Sequence, residues 1–173
     1  MRLLSIILLI SFSTSTSFAS FCTIDNFCET VTISNGTQLN QSYQINHAKI
    51  LSQETAGVRV QVLDLISGNI TENEFFINNG ITTCDLETSH IKINNEFIFA
   101  TSPSLFDAQG NYLSICGVTV LSVQNNIVTE NISPNTYAAS LDDFKANIGN
   151  CNKIKTEVNI NVFPNPAQNH IRL

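Results

Sequence analysis

The residues best suited to chemistry in this chain are its cysteines, Cys22, Cys28, Cys84, Cys116 and Cys151. Thiols that are spread along a chain in this way form disulfides when the protein reaches an oxidising compartment. They are not arranged in the closely spaced pairs that hold zinc, and His47 and His90 each stand alone. The spacing therefore predicts structural disulfides and no metal site, and the odd number of cysteines leaves one thiol over.

Nucleophilic catalysis requires a base within hydrogen-bond reach of a serine or cysteine, and a third group that orients the base. The chain contains no G-x-S-x-G elbow, no phosphate-binding loop and no H-E-x-x-H motif. Cys84 is followed by Asp85 and Glu87, whose negative charge disfavours the nucleophilic thiolate. The sequence thus indicates no catalytic residues and no cofactor.

The composition also restricts the partners. Hydrophobic residues make up 43% of the chain, which argues against disorder. The net charge is −6 with only 8 Lys and Arg residues, and binding to a nucleic acid backbone depends on positive charge. We therefore expect a folded protein that does not bind nucleic acid.

The N-terminus has the features of a secretory signal. Arg2 precedes a mostly apolar run at residues 3–10, and Ser17 and Ala19 are small residues suitably placed for a cut after Ala19. The apolar run is much shorter than the about 20 residues that span a bilayer. The sequence predicts a cleaved signal peptide at residues 1–19 and no stable membrane span.

The C-terminal residues 158–173 combine two strands of alternating apolar residues with an intervening aromatic and proline-rich motif, Phe163-Pro164-Asn165-Pro166. This pattern resembles the first part of the C-terminal sorting domain that a group of Gram-negative bacteria uses for type IX secretion. The resemblance implies a truncated sorting domain, with the type IX secretion machinery as a partner. It also implies that the protein passes through the periplasm and is secreted or held at the outer-membrane surface.

Between these ends, residues 20–151 are predicted to form one β-rich globular domain, followed by a linker at residues 152–157. The clearest strand is 58–66, because Val58, Val60 and Val62 share one face. The other predicted strands are 44–50, 74–77, 90–94, 97–100, 112–123 and 127–132. A single helix is predicted after Ser140, which serves as its N-cap with Asp143 in a capping box, and Gly149 is expected to end it.

The order of these features resembles that of netrin-like domains, which include the tissue inhibitors of metalloproteinases and have an OB-type barrel. The matching features are the first two cysteines, the V-x-V-x-V strand that leads to Gly68, the Cys116-Gly117 pair, and the late helix followed by Cys151. The resemblance implies a small disulfide-stapled barrel with one C-terminal helix. It further implies that Cys22 pairs with Cys116 and Cys28 with Cys151, which leaves Cys84 unpaired. A β-sandwich is the alternative fold.

Together these features favour a secreted or cell-surface binding module without enzymatic activity, whose ligand is an extracellular protein or glycan. The alternative is a small secreted hydrolase or protease inhibitor with a site assembled from scattered residues. A hydrolase would require His47 or His90 to lie beside a serine, a cysteine or a carboxylate in a cleft.

Overall fold

The computed structural model describes residues 24, 26–33, 36–79, 88, 91–103, 110–114 and 117–157. The predicted signal peptide and sorting segment lie outside these residues, as do Cys22, Cys84, Cys116 and His90. The described part of the chain is mainly β, as the sequence predicts. None of its helices is long and apolar enough to cross a membrane.

The described part begins with a short helix, α1 (Phe27–Val31), and a small two-stranded sheet formed by β1 (Thr32–Ile33) and β2 (Gln38–Leu39). The strands that follow are β3 (Gln44–Glu54), β4 (Gly57–Ser67), β5 (Glu74–Asn78), β6 (Glu96–Thr101), β7 (Asn111–Tyr112), β8 (Val120–Gln124), β9 (Ile127–Ser133) and β10 (Thr136–Ser140). Helix α2 (Leu141–Asn147) comes next and continues into a 3-10 segment (Ile148–Lys153).

Strands β3 to β10 form one sheet in the order β10-β9-β8-β6-β3-β4-β5-β7. Neighbouring strands are antiparallel, except that β5 and β7 are parallel. The strand ladders of the described residues do not close this sheet into a barrel. One isolated bridge connects Ser102, directly after β6, to Tyr112 of β7, through two backbone hydrogen bonds of 3.0 Å.

Both faces of the sheet carry an apolar core, and β3 contributes to each. Ile45 belongs to the core that includes α1 and α2, which we call the helix-side core. Ala48 and Ile50 belong to the core on the opposite face, which we call the far core. Phe27 of α1 and Phe144 of α2 meet in the helix-side core with their ring centroids 5.8 Å apart.

The predicted strands at 44–50, 58–66, 74–77, 97–100 and 127–132 are confirmed. The predicted strand at 90–94 is wrong, because residues 91–95 form a turn before β6 and Asn94 has a φ of 67°. The predicted strand at 112–123 is also wrong as one continuous strand, because β7 ends at Tyr112 and β8 begins only at Val120. Both predictions failed for the same reason. Ile91 and Leu113 are buried in the far core although neither residue belongs to a strand.

The predicted helix is confirmed as α2, and the Ser140 hydroxyl accepts a hydrogen bond of 3.2 Å from the backbone N–H of Asp143. The α-helix ends at Asn147, two residues before the predicted stop at Gly149, and the 3-10 segment that follows is kinked at Asn150, where the backbone angles are not helical. Helix α1 was not predicted. Its local signal is Asn26, whose side chain caps the helix by accepting from the N–H of Glu29 at 3.0 Å.

The residues predicted to be a linker, 152–157, lie against the domain. Ile154 is buried in the helix-side core. The backbone N–H of Lys155 donates to the Asp143 carboxylate at 2.7 Å, and that of Glu157 donates to the carbonyl of Ala138 at 2.9 Å. This segment therefore packs on α2 and on the outer edge of β10.

A disulfide joins Cys28 of α1 to Cys151 of the 3-10 segment. This is one of the two pairs that the netrin-like resemblance implies. The other implied pair and the unpaired Cys84 fall on residues outside the described ranges.

Candidate functional site

His47 is the candidate base that falls within the described residues. Its Nε2 lies 3.0 Å from Oε2 of Glu96. In the register of the two strands, His47 of β3 lies opposite Asp64 of β4. Asp64 forms an ion pair with Lys145 of α2, in which Nζ of the lysine lies 2.8 Å from Oδ2 of the carboxylate. Burial lowers the pKa of His47 below its usual value, and the Glu96 carboxylate opposes this shift only in part. Burial prevails because Glu96 is 42% exposed, so that water screens its attraction for the imidazolium.

This arrangement lacks two features that a hydrolase needs. The His47 side chain is only 8% exposed. In the described part of the chain, its ring has no hydrogen bond to a serine or cysteine. Glu96 therefore holds the His47 ring by a hydrogen bond between neighbouring strands. A grouping of three or more His, Cys, Asp or Glu side chains able to hold a metal ion is also absent from the described residues.

The cavities that could hold a ligand lie elsewhere, and two of them adjoin where β3 begins and β4 ends. The larger, about 590 Å³, is lined by Gln41, Ser42, Tyr43, Gln44, Ser67, Gly68, Asn69 and Pro103. The smaller, about 280 Å³, is lined by Gln44, Asn69, Ile70, Thr71, Glu72, Phe75 and Asn111. Because Gln44 and Asn69 line both, we treat the two cavities as one site and call it the Gln44 cleft.

The Gln44 cleft is polar but almost free of charge. Its described walls consist mainly of carboxamides and hydroxyls, and Glu72 is the one carboxylate among the lining residues that the structure describes. Carboxamides can donate and accept hydrogen bonds at the same time. Tyr43 and Phe75 add aromatic surface, and burial raises the pKa of Tyr43, so its hydroxyl stays protonated and able to donate. Such a lining suits a neutral ligand that carries many hydroxyl or amide groups.

A row of buried polar side chains extends inward from this cleft along β3 and β6. Gln44 is paired with Thr101 and Asn46 with Phe99, so these side chains share the face of the far core. Asn46 and Thr101 are both 0% exposed. Oε1 of Gln44, both amide atoms of Asn46 and Oγ1 of Thr101 are buried and have no hydrogen-bond partner in the described structure. We call Gln44, Asn46 and Thr101 the buried polar row.

The buried polar row is energetically costly. A buried polar group without a partner destabilises a fold by about 1–3 kcal/mol. Folded proteins pair the large majority of such groups with protein atoms or with ordered water. A row of three in adjacent strands therefore marks a place where polar groups are kept on the face of the far core.

Gly68 brings the chain close to the mouth of this row. Its φ is +111°, a conformation that side chains with a Cβ rarely adopt. A Cβ at this position would lie 3.1 Å from the Cβ and Cγ of Gln44. Glycine thus lets the end of β4 pass directly over Gln44, so that the backbone defines one side of the cleft.

Sequence reasoning did not identify the buried polar row, although a weak signal exists. Asn46 has the same strand parity as Ala48 and Ile50, both of which are buried in the far core. A carboxamide at an apolar position of a strand is a departure from the expected alternation. Of the sequence-predicted residues, the structure brings together Cys28 and Cys151, and the sorting motif at 163–166 lies outside the described residues.

Comparisons with known proteins found no match for this chain, either among protein-family models, among curated proteins or among solved structures.

Proposed function

We propose that this protein is a secreted or cell-surface binding module without catalytic activity, and that a neutral glycan occupies the Gln44 cleft. The observation that carries this proposal is the buried polar row, in which Asn46 is fully buried with both amide atoms unpaired in the described structure. A ligand rich in hydroxyls would meet this row at Gln44, the member that lines the cleft, and would offer it hydrogen-bonding partners.

The chemistry of the cleft favours a neutral glycan over a charged ligand. Glu72 is its one carboxylate, and no Lys or Arg is among its lining residues in the described ranges. An anionic group would lose its hydration without gaining an opposite charge from the described lining residues. A neutral sugar offers hydroxyls that donate and accept, which match the carboxamides of Gln44, Asn69 and Asn111. A concave site of this kind also buries more of a small ligand than of a flat protein surface.

The proposed fold and route of export are consistent with this function. We propose a netrin-like, OB-type arrangement of β3, β4, β5, β7 and β6, which is supported by the Ser102–Tyr112 bridge between the end of β6 and β7. We also propose that residues 1–19 direct export and that residues 158–173 address the type IX machinery. A module displayed outside the cell would meet glycans as its natural environment.

Glycan binding is best tested with the exported protein on an array of neutral and anionic polysaccharides, followed by calorimetry with the best soluble oligosaccharide. We expect neutral glycans to bind and Gln44→Ala to weaken binding at least about tenfold, because it removes one carboxamide that contacts the ligand and opens the row to water. Gln61→Ala is the matched control, since Gln61 is an exposed glutamine on β4 outside the cleft.

Two outcomes would contradict the proposal. One is a preference for anionic glycans, and the other is equal weakening by Gln44→Ala and Gln61→Ala. The same samples should be monitored for shortened products, because turnover of the bound oligosaccharide would favour the hydrolase alternative.

The route of export needs a separate experiment. Mass spectrometry of the protein from culture medium and from the cell surface should show a mature N-terminus at Ser20. Replacing Phe163 and Pro164 with alanine should retain the protein in the periplasm if the type IX machinery recognises this motif. Unchanged export of that variant would contradict the sorting role and leave glycan binding untouched.

A further inference from the structure

A second groove lies between α1 and the turn that connects β9 to β10. One cavity of about 280 Å³ is lined by Asn26, Glu29, Asn131, Ser133, Pro134 and Tyr137. An adjoining cavity of about 320 Å³ shares four of these residues and reaches the Cys28–Cys151 disulfide. We call the combined feature the α1 groove. Among the residues that the structure describes, it shares no lining residue with the Gln44 cleft.

Tyr137 gives this groove an exposed aromatic ring. Tyr137 is 60% exposed, the most of any large hydrophobic residue in the described part of the chain. It lies on β10, at the edge of the sheet. An exposed aromatic ring beside a cavity is typical of a binding surface, since tyrosine is enriched among the residues that dominate interfaces.

Glu29 gives the same groove a negative charge. In the described structure its carboxylate has no ion pair, and neither cavity has a Lys or Arg among its described lining residues. The chain as a whole carries a net charge of −6. A cation that enters the groove would therefore be attracted both by Glu29 and by the protein as a whole.

Asn26 supplies a buried hydrogen-bonding group to the same groove. It is 4% exposed and lines both cavities. Its Oδ1 accepts from the N–H of Glu29, whereas its Nδ2 has no partner among the described residues. The amide nitrogen is therefore available to donate to a carbonyl oxygen, as the backbone of a peptide would offer.

We propose that the α1 groove binds an arginine side chain on a basic segment of a partner protein. The guanidinium would stack on the ring of Tyr137 and pair with the carboxylate of Glu29, and Nδ2 of Asn26 would donate to a backbone carbonyl of the same segment. Arginine suits this site better than lysine, because its planar cation stacks on aromatic rings while it donates to a carboxylate.

The probe is acetyl-Gly-Arg-Gly-amide, and the matched control peptide carries citrulline, which has nearly the same shape without the charge. Titration of the exported, isotope-labelled protein by NMR at low salt should shift the backbone amides of Glu29, Ser133 and Tyr137 with the arginine peptide. Tyr137→Ala and Glu29→Gln should each weaken binding about two- to fivefold. Binding should also weaken as the salt concentration rises.

The control variants are Tyr137→Phe, which keeps the ring, and Glu74→Gln, which removes an exposed carboxylate outside the groove. Both should bind the arginine peptide as the unaltered protein does. Equal affinity for the citrulline peptide would overturn the proposal, and so would shifts confined to residues outside the groove. No binding of either peptide at low salt would also overturn it.

Discussion

Cys28 and Cys151 are 123 positions apart in the sequence, yet their Cα atoms lie 6.0 Å apart and a disulfide joins them. The bond connects α1 to the 3-10 segment that continues α2, and both cysteines belong to the helix-side core. The N–H of Cys151 also donates to the carbonyl of Gly36 at 3.1 Å, just before β2. The first and last described parts of the domain are thus held together over one core.

Replacement of both cysteines, Cys28→Ala and Cys151→Ala, should lower the free energy of unfolding by up to about 5 kcal/mol, since the cross-link restricts a long loop in the unfolded chain. Urea denaturation at neutral pH measures this loss. The single variant Cys28→Ala should lose a similar amount, because either change removes the bond. An unchanged denaturation midpoint in the double variant would show that the bond does not stabilise the domain.

The sequence predicted the elements whose signals are local. Strand β4 alternates apolar and polar residues in its first half, from Val58 onward. The N-cap residue Ser140 indicates the start of α2. The strand predictions failed where an apolar residue is buried without belonging to a ladder, as Ile91 and Leu113 are. Periodicity reports burial, and burial alone does not show whether the backbone pairs with a neighbour.

The candidate site could not be predicted, for a different reason. Gln44 and Thr101 lie together because β3 is paired with β6 in a particular register, and no local pattern specifies that pairing. The buried polar row also contradicts the usual preference for apolar residues in a core. The Cys28–Cys151 pair likewise came from the family resemblance, because cysteine spacing alone allows several connectivities.

Substitution of Gly68 should affect both stability and the cleft. Gly68→Ala places a methyl group 3.1 Å from Gln44 at a φ of +111°, so we expect a loss of about 1–3 kcal/mol in the free energy of unfolding. The methyl group should also displace Gln44 and weaken binding of the neutral oligosaccharide. Urea denaturation and calorimetry on the same variant measure the two effects.

Gly149→Ala is the matched control for Gly68→Ala. A Cβ at Gly149 meets no atom within 4 Å, and the residue lies in the helical region after α2. This variant should be as stable as the unaltered protein or more stable by up to about 1 kcal/mol. If the two alanine variants behave alike, the contact with Gln44 has no energetic significance.

His47 should make the domain less stable in mild acid. Burial lowers its pKa in the folded state below the usual 6.5, so the unfolded chain binds a proton more readily. The stability that the neutral ring contributes is complete above pH 6.5 and is lost as the pH falls through that value to the folded-state pKa. Denaturation from pH 7.5 to about pH 5 should therefore show a steeper loss for the unaltered protein than for His47→Gln.

Glu96→Gln refines this prediction. The Glu96 carboxylate raises the pKa of His47 through its hydrogen bond and its charge, so its removal should lower that pKa further. An NMR titration of the His47 ring measures the shift directly. A higher pKa in Glu96→Gln than in the unaltered protein would contradict the assigned pairing.

Asn46→Leu should separate stability from function. The leucine side chain has a shape similar to that of asparagine but no polar atoms, and it would replace a fully buried amide that lacks partners in the described structure. Because the cost of burying that amide disappears, we expect the free energy of unfolding to rise by about 1–2 kcal/mol. We also expect weaker binding of the neutral oligosaccharide, transmitted through Gln44, which belongs to the same row and lines the cleft. Urea denaturation and calorimetry test both effects, and a less stable variant with unchanged affinity would show that Asn46 serves the fold and not the ligand.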